Sequence, residues 1–165
     1  MYNEINIWNF KLMQKIISQI RDIVVIEKEL VNNPIGILAL NLKDEKITQL
    51  AITFLYQDKN VYFFFKDNDE EFEHIKLDCK VSFTIVKNDK IKKAQKADFT
   101  PLYNILSVSV SGLIKVVDDP KLVDTLRENY IKKYSKVVEK DESPKLSKVV
   151  FIDTEEIQAY EETGG

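Results

Sequence analysis

Few residues in this 165-residue chain are equipped for chemistry on their own. There is one histidine, His74, and one cysteine, Cys79. A structural zinc ion needs four nitrogen or sulfur ligands, so this pair cannot hold one. One cysteine also excludes an internal disulfide framework. His74 falls in a short stretch that reads as a helix and is expected at its surface, with a catalytic role as the alternative. Cys79 reads as a structural thiol beside a strand. Ser107, Ser109 and Ser111 alternate along a strand and so share a face. No base stands near enough in sequence to activate any of them as a nucleophile. That face is expected to meet solvent, or to line a cleft between subunits. Lys66 is the only Lys or Arg between Lys59 and Lys76. It closes an aromatic strand and reads as a solvated lysine at a strand end.

Other chemistries are excluded by composition. The four glycines are Gly36, Gly112, Gly164 and Gly165, so no glycine-rich phosphate loop or dinucleotide fingerprint exists. Lys and Arg number 24 against 27 Asp and Glu, for a net charge of −3. A dedicated nucleic-acid binder usually carries a basic excess. Lys87, Lys90, Lys92, Lys93 and Lys96 form a lysine-rich stretch without interleaved aromatics to stack bases, and it reads as a solvated loop. No apolar run approaches the roughly 18–20 residues that cross a bilayer. The first residues lack a basic and apolar leader pattern, so a cytoplasmic protein with neither membrane nor nucleic-acid partners is expected.

The positioning elements follow from hydrophobic spacing. Phe10, Met13, Ile16 or Ile17, Ile20 and Ile23 or Val24 recur every three or four residues, which predicts an N-terminal helical segment over 1–33. Val24 to Ile26 is β-branched and could instead open a strand. Asn33-Pro34 ends that segment. Ile35–Leu42, Ile47–Tyr56 and Val61–Phe65 then read as three strands of an antiparallel meander, separated by the turns Lys43–Lys46 and Gln57–Asn60. Asp67-Asn68-Asp69 offers caps for a short helix with Phe72 and Ile75 inward. Lys80–Val86 and Asn104–Val117 read as strands. Asp119-Pro120 opens a helix with Val123, Leu126, Tyr130 and Tyr134 on its apolar face. Residues 136–148 read as a connection and Val149–Ile152 as a last strand. Residues 155–165 read as an acidic tail, frayed or helical. Six or more strands with few helices, in one domain over 1–165, favour an antiparallel barrel over 34–154 that leaves few edges. Phe63, Phe64 and Phe65 are consecutive, so at least one ring must point away from the barrel interior.

Three stretches carry a family pattern: Gly36-Ile37-Leu38-Ala39-Leu40 leading into Thr48–Tyr56, Asn60-Val61-Tyr62-Phe63-Phe64 leading into Val81–Val86, and Tyr103–Gly112 followed by Asp118-Asp119-Pro120. In order and spacing they resemble the pyridoxamine 5′-phosphate oxidase-related flavin-binding split barrels, in particular nitroimidazole-reductase-like and general-stress-protein-like members. The resemblance implies a mainly β fold with peripheral helices, a split antiparallel barrel. It implies a homodimer with FMN between the barrels and a flavin-dependent oxidoreductase acting on a small organic substrate. The cofactor positions it implies are Leu50, Ala51, Ile52 and Thr53 on one strand, Phe64, Phe65 and Lys66 on another, and Asn68 and Glu71 at the short helix. The chain departs from that family's pattern, which commonly has His or Thr at the place of Phe64, Gly near Asp69 and a basic residue near Glu70 or Glu71. Three carboxylates beside a phosphate would repel it. The alternative implied is a binding or stress-related module with a degenerate flavin site, or a haem-binding variant.

Overall fold

The computed structural model describes residues 15–88, 103–135 and 146–164. Eight strands form one antiparallel sheet: β1 (Lys15–Ile20), β2 (Gly36–Asn41), β3 (Ile47–Ile52), β4 (Leu55–Gln57), β5 (Asn60–Phe65), β6 (Lys80–Asn88), β7 (Tyr103–Val116) and β8 (Lys148–Gly164). Three helices accompany it: α1 (Ile23–Asn32), α2 (Glu70–His74) and α3 (Pro120–Tyr134). The strand order is β3-β2-β6-β7-β8-β5-β4, with β1 also on β8. β3 and β4 lie at opposite ends of that order, yet only Thr53 and Phe54 separate them in the chain. The sheet must therefore curl until its two ends meet at these two residues. Among the described residues no helix is long and apolar enough to cross a membrane.

Three sequence expectations are corrected. First, Ile16, Ile17 and Ile20 belong to a strand, and the helix begins only after Asp22. The three-and-four spacing ran across two elements. Asp22 caps the helix by accepting from the Val24 amide at 3.0 Å, and Ile26 and Leu30, four apart, give it a buried face. Upstream of the cap, the free edge of β8 pairs with Lys15–Ile20. The expectations at Phe10 and Met13 fall outside the described residues. Second, Ile47–Tyr56 is not one strand. It breaks at Thr53-Phe54, so β3 pairs only with β2 and β4 only with β5. The three-strand meander is replaced by two hairpins at opposite ends of the sheet. Third, the acidic tail is neither frayed nor helical. β8 runs 17 residues to Gly164, held by β7 along its length and by β1 at its far end.

The long β7–β8 pair contains one irregularity. Ser111 faces Glu156 but Gly112 faces Thr154, leaving Glu155 unmatched in a bulge. A Cβ on Gly112 would lie 2.0 Å from the Asp153 carbonyl oxygen, so only glycine lets the strands close there. At the other end, β4 and β5 turn through Asp58 and Lys59, both with positive φ, as the right-handed twist of a two-residue hairpin requires.

Among the described residues there are two apolar clusters. One lines the concave side of the sheet around Leu38, Phe54, Phe63, Phe83, Val110 and Ile152. The other lies between the convex side of β4, β5 and β8 and helix α3, around Leu55, Tyr62, Phe64, Leu126 and Val149. β5 is thus covered on both faces, which accounts for five consecutive buried residues from Val61 to Phe65. The outward ring of the Phe63–Phe65 run is Phe64. It lies under α3, stacked on Tyr130 with centroids 4.3 Å apart, rather than at a subunit or ligand surface.

Leu126 is fully buried in the second cluster. Leu126→Ala is expected to cost about 3 kcal/mol, read as a lower urea midpoint at unchanged slope. A cost near zero would mean that this cluster does not hold α3.

Candidate functional site: a seam between two strands

The curl leaves two strand edges without a ladder. β5 pairs with β8 from Val61 to Phe65, but on its other edge β4 reaches only Asn60–Tyr62. β3 pairs with β2 from Ile47 to Ile52 and has no partner on its second edge among the described residues. The two free edges diverge from the corner at Thr53-Phe54. α2 closes the opposite end. It leaves the end of β5 and joins the β2–β3 turn, where the Lys43 amide donates to the His74 carbonyl at 2.9 Å and the Lys76 amide to the Asn41 carbonyl at 3.0 Å. The result is a seam bounded by β3, β5, the corner and α2.

The positions singled out in the sequence lie on β3, at the corner, on β5 and at the α2 end. Leu50, Ala51 and Ile52 lie on the β3 bank, with Leu50 and Ile52 packed against the concave core and Ala51 exposed. Thr53 sits at the corner. Phe64 and Phe65 lie on the β5 bank, but neither ring is free. Phe64 is under α3, and Phe65 is in the core 5.7 Å from Phe72. These two offer the seam main-chain groups only. Lys66, Asn68 and Glu71 are exposed at the α2 end. The start of α2 is already capped, since Asp69 accepts from the Glu71 amide at 3.0 Å.

The corner is held by three side chains from the last turns of α3. The Tyr134 hydroxyl accepts from the Phe54 amide at 3.0 Å and lies 2.8 Å from the Phe54 carbonyl and 2.7 Å from the Pro34 carbonyl, to either of which it can donate. The Tyr130 hydroxyl is 2.7 Å from Thr53 Oγ1. Lys133 Nζ donates to the Phe54 carbonyl at 3.1 Å and lies 3.9 Å from the Phe54 ring centroid. Burial pushes the Lys133 ammonium down to about 8 and raises the Tyr134 phenol. Sequence spacing marks Tyr130 and Tyr134 as apolar helix positions and leaves Lys133 unmarked. Contacts some 80 residues apart have no local signal.

Lys148 is a second residue without a sequence signal. It pairs with Phe65 in the β5–β8 register, beside Lys66. Its Nζ is 2.7 Å from Glu73 and 4.8 Å from the Phe72 ring centroid. This hydrogen bond and charge hold the Glu73 carboxyl below its ordinary range. On the same side, Ser147 donates to Asp67. His74 is exposed and Cys79 half-buried. Among the described residues no group of three His, Cys, Asp or Glu is placed to hold a metal ion. The serine face is convex and half-exposed, with Ser109 Oγ 2.9 Å from Thr84 Oγ1 and no histidine beside it. Around the seam lie the free main-chain edges and the exposed Lys66 ammonium. Among the described residues around it, none form a nucleophile–base pair.

No family model matches the sequence, and no curated protein matches it significantly. Solved structures do match. A candidate 5-nitroimidazole antibiotic resistance protein from Bacteroides thetaiotaomicron aligns with TM-score 0.71 at 12% identity, over 99% of this chain and 96% of that one. An FAD-binding protein from Mesorhizobium loti gives 0.60 at 20% identity, over 88% and 97%. A candidate pyridoxamine 5′-phosphate oxidase from Corynebacterium glutamicum gives 0.56 at 14% identity, over 88% and 92%. The chain shares their split-barrel fold.

Lys133 gives the corner a pH dependence of defined sign. Below about pH 8 the ammonium is charged in both the folded and unfolded chain, and the cost of burying it is fully present. Between about 8 and the ordinary value of 10.5 the folded chain holds it neutral while the unfolded chain keeps it charged, so stability rises with pH. The melting temperature of the native chain is therefore expected to gain on that of Lys133→Met from pH 7.5 to 9.5. Parallel curves would show that the buried amine is not the source. Tyr134→Phe, which strips the Phe54 amide and carbonyl of a shared partner, is expected to cost about 1–3 kcal/mol in denaturant unfolding.

Proposed function

We propose that this chain is a flavin-binding protein that holds FMN in the β3–β5 seam as a homodimer and serves as an oxidoreductase for a small organic substrate. The observation that carries the reading is the seam itself. Two free strand edges offer unpaired N–H and C=O groups to the polar edge of a flat ring, and Lys66 stands at the α2 end, where a phosphate would lie. Solved structures with this fold include an FAD-binding protein and a flavocytochrome. A flavin, when bound, supplies the electron transfer, which is why no paired acid and base is needed. The chain's own part is to present main-chain donors and acceptors from Leu50–Thr53, to place the Lys66 ammonium, and to keep water from one side through the concave core.

The homodimer is supported by the convex face of the sheet. Ala51, Ile37, Thr84, Ser109 and Gln158 are cross-strand partners that form one uncharged row across five strands. Ile47 at 78% and Val86 at 54% exposure flank it. In a chain with 31% charged residues, such a face suits burial against a second copy. The alternative of a binding module with a degenerate site is favoured by Glu70 and Glu71, which lie at the α2 start with no basic partner among the described residues.

The test is to purify the protein, release any bound molecule by denaturation and identify it by mass, then to titrate the emptied protein with FMN and riboflavin. Lys66→Ala is expected to weaken FMN binding about tenfold, the worth of one charge-assisted contact, and to leave riboflavin, which lacks the phosphate, unchanged. Light scattering is expected to give twice the chain mass of 19.2 kDa. A colourless protein that ignores both flavins would favour the degenerate module.

A further inference from the structure

The two banks of the seam belong to two hairpins, β2–β3 and β4–β5, and Thr53-Phe54 is the direct link between them. Two residues bring soft backbone dihedrals on which one hairpin could swing against the other. The Tyr134 hydroxyl stands where it can fix that angle. It accepts from the Phe54 amide at 3.0 Å and lies 2.7 Å from the Pro34 carbonyl. Pro34 and Ile35 lead into Gly36, the start of β2, and Gly36 pairs with Ile52, the end of β3. Phe54 immediately precedes Leu55, the start of β4. One oxygen therefore touches the root of each hairpin. A hydroxyl has one hydrogen, and this one has two carbonyls in reach, since that of Phe54 is 2.8 Å away. Lys133 Nζ is a second donor to the Phe54 carbonyl, at 3.1 Å. With Lys133 in place, the hydroxyl can hold Pro34 without leaving Phe54 unserved. One turn earlier on α3, the Tyr130 hydroxyl lies 2.7 Å from Thr53 Oγ1, so both residues of the link are held by the same helix.

We infer, resting on the flavin reading above, that Tyr134 is a positioning residue of the seam: it pins the β2–β3 hairpin to the β4–β5 hairpin and so sets how far apart the two free edges stand. A flat ring held by main-chain groups needs each donor and acceptor at hydrogen-bond distance, and such bonds weaken steeply once their geometry slips. Tyr134 acts through the Phe54 and Pro34 main chain rather than by touching the ring. Lys133 supports it by freeing its one hydrogen for Pro34. Loss of Tyr134 is therefore felt at the ring, which riboflavin and FMN share. Loss of Lys66 is felt at the phosphate, which only FMN carries.

The test separates positioning from plain stability. Ile114→Val is the control: Ile114 is fully buried on β7, three strands away from β4 in the sheet order, and the change lowers stability without touching the corner. The emptied native chain, Tyr134→Phe, Lys133→Met and Ile114→Val are each titrated with riboflavin and with FMN at a temperature where all are folded. Tyr134→Phe is expected to weaken both flavins alike, about tenfold, the worth of about one hydrogen bond. Lys133→Met leaves two carbonyls to share one hydroxyl hydrogen and is expected to weaken both by a smaller factor, about threefold. It carries the test if Tyr134→Phe does not fold. Ile114→Val is expected to bind both at the native affinity. The visible circular dichroism of bound riboflavin is expected to change with Tyr134→Phe and not with Ile114→Val. Native affinity for both flavins in Tyr134→Phe, or in Lys133→Met where that variant stands alone, would overturn the inference while leaving the flavin reading intact. So would an equal loss in Ile114→Val. A native chain that takes neither flavin would overturn the flavin reading and this inference with it.

Discussion

A β-strand that changes partners must leave some main-chain groups without a ladder, and buried N–H and C=O groups cannot go unpaired cheaply. In this chain the change falls at Thr53-Phe54, with Phe54 fully buried. Both polar groups of Phe54 are answered by α3. The Tyr134 hydroxyl serves the amide, and Tyr134 and Lys133 serve the carbonyl. Everything else about the seam depends on that substitution of side chains for a strand. If β3 continued straight into β4 against β5, the barrel would close and the two edges would satisfy each other. Because the corner is fixed by a helix on the convex side, the edges part and remain available.

The helix can reach the corner only because β5 is covered twice. Its inward residues Val61, Phe63 and Phe65 meet the concave core, and its outward residues Tyr62 and Phe64 meet α3. α3 is docked by Val123 and Leu126 near its start. Its last turn then projects Tyr130, Lys133 and Tyr134 over the corner. The Phe64–Tyr130 stack and the Tyr130–Thr53 hydrogen bond share one tyrosine, so packing of the helix and geometry of the corner are mechanically one feature. A polar group at the place of Phe64 would face the underside of α3, not the seam. The ring at that position therefore belongs to helix docking.

Much of the architecture was legible from local signals. The Asp119-Pro120 helix start, the β2–β3 turn, and the β6 and β7 strands follow from capping, turn chemistry and alternation, and all occur where expected. What failed was non-local. The 3.6-residue spacing over 16–24 fitted a helix, but an open edge on a strand 140 residues later claimed Lys15–Ile20. The tail over 155–165 looked unfit for structure because its glutamates are abundant. It is a strand because β7 and β1 flank it and the glutamates point off a two-sided ladder. The candidate positions on β3 and β5 were legible as strand residues. The break between β3 and β4 was not, since it depends on Phe54's burial and on α3.

The electrostatics of the seam changes character in three dimensions. Along the sequence, the α2 region shows Asp67, Asp69, Glu70, Glu71 and Glu73 against one cation, Lys66. In space, two of those five acids are engaged from the start of β8: Lys148 neutralises Glu73 and Ser147 donates to Asp67. Asp69 is spent on the helix cap. The acids without such partners are Glu70 and Glu71, on the exposed first turn, where water and salt screen them. Lys66 is left with no carboxylate across from it among the described residues. Repulsion of an anion depends on unpaired charge at short range, not on acid count. Of the five acids only Glu73 is paired with a cation, so Asp67, Asp69, Glu70 and Glu71 keep their negative charge around Lys66.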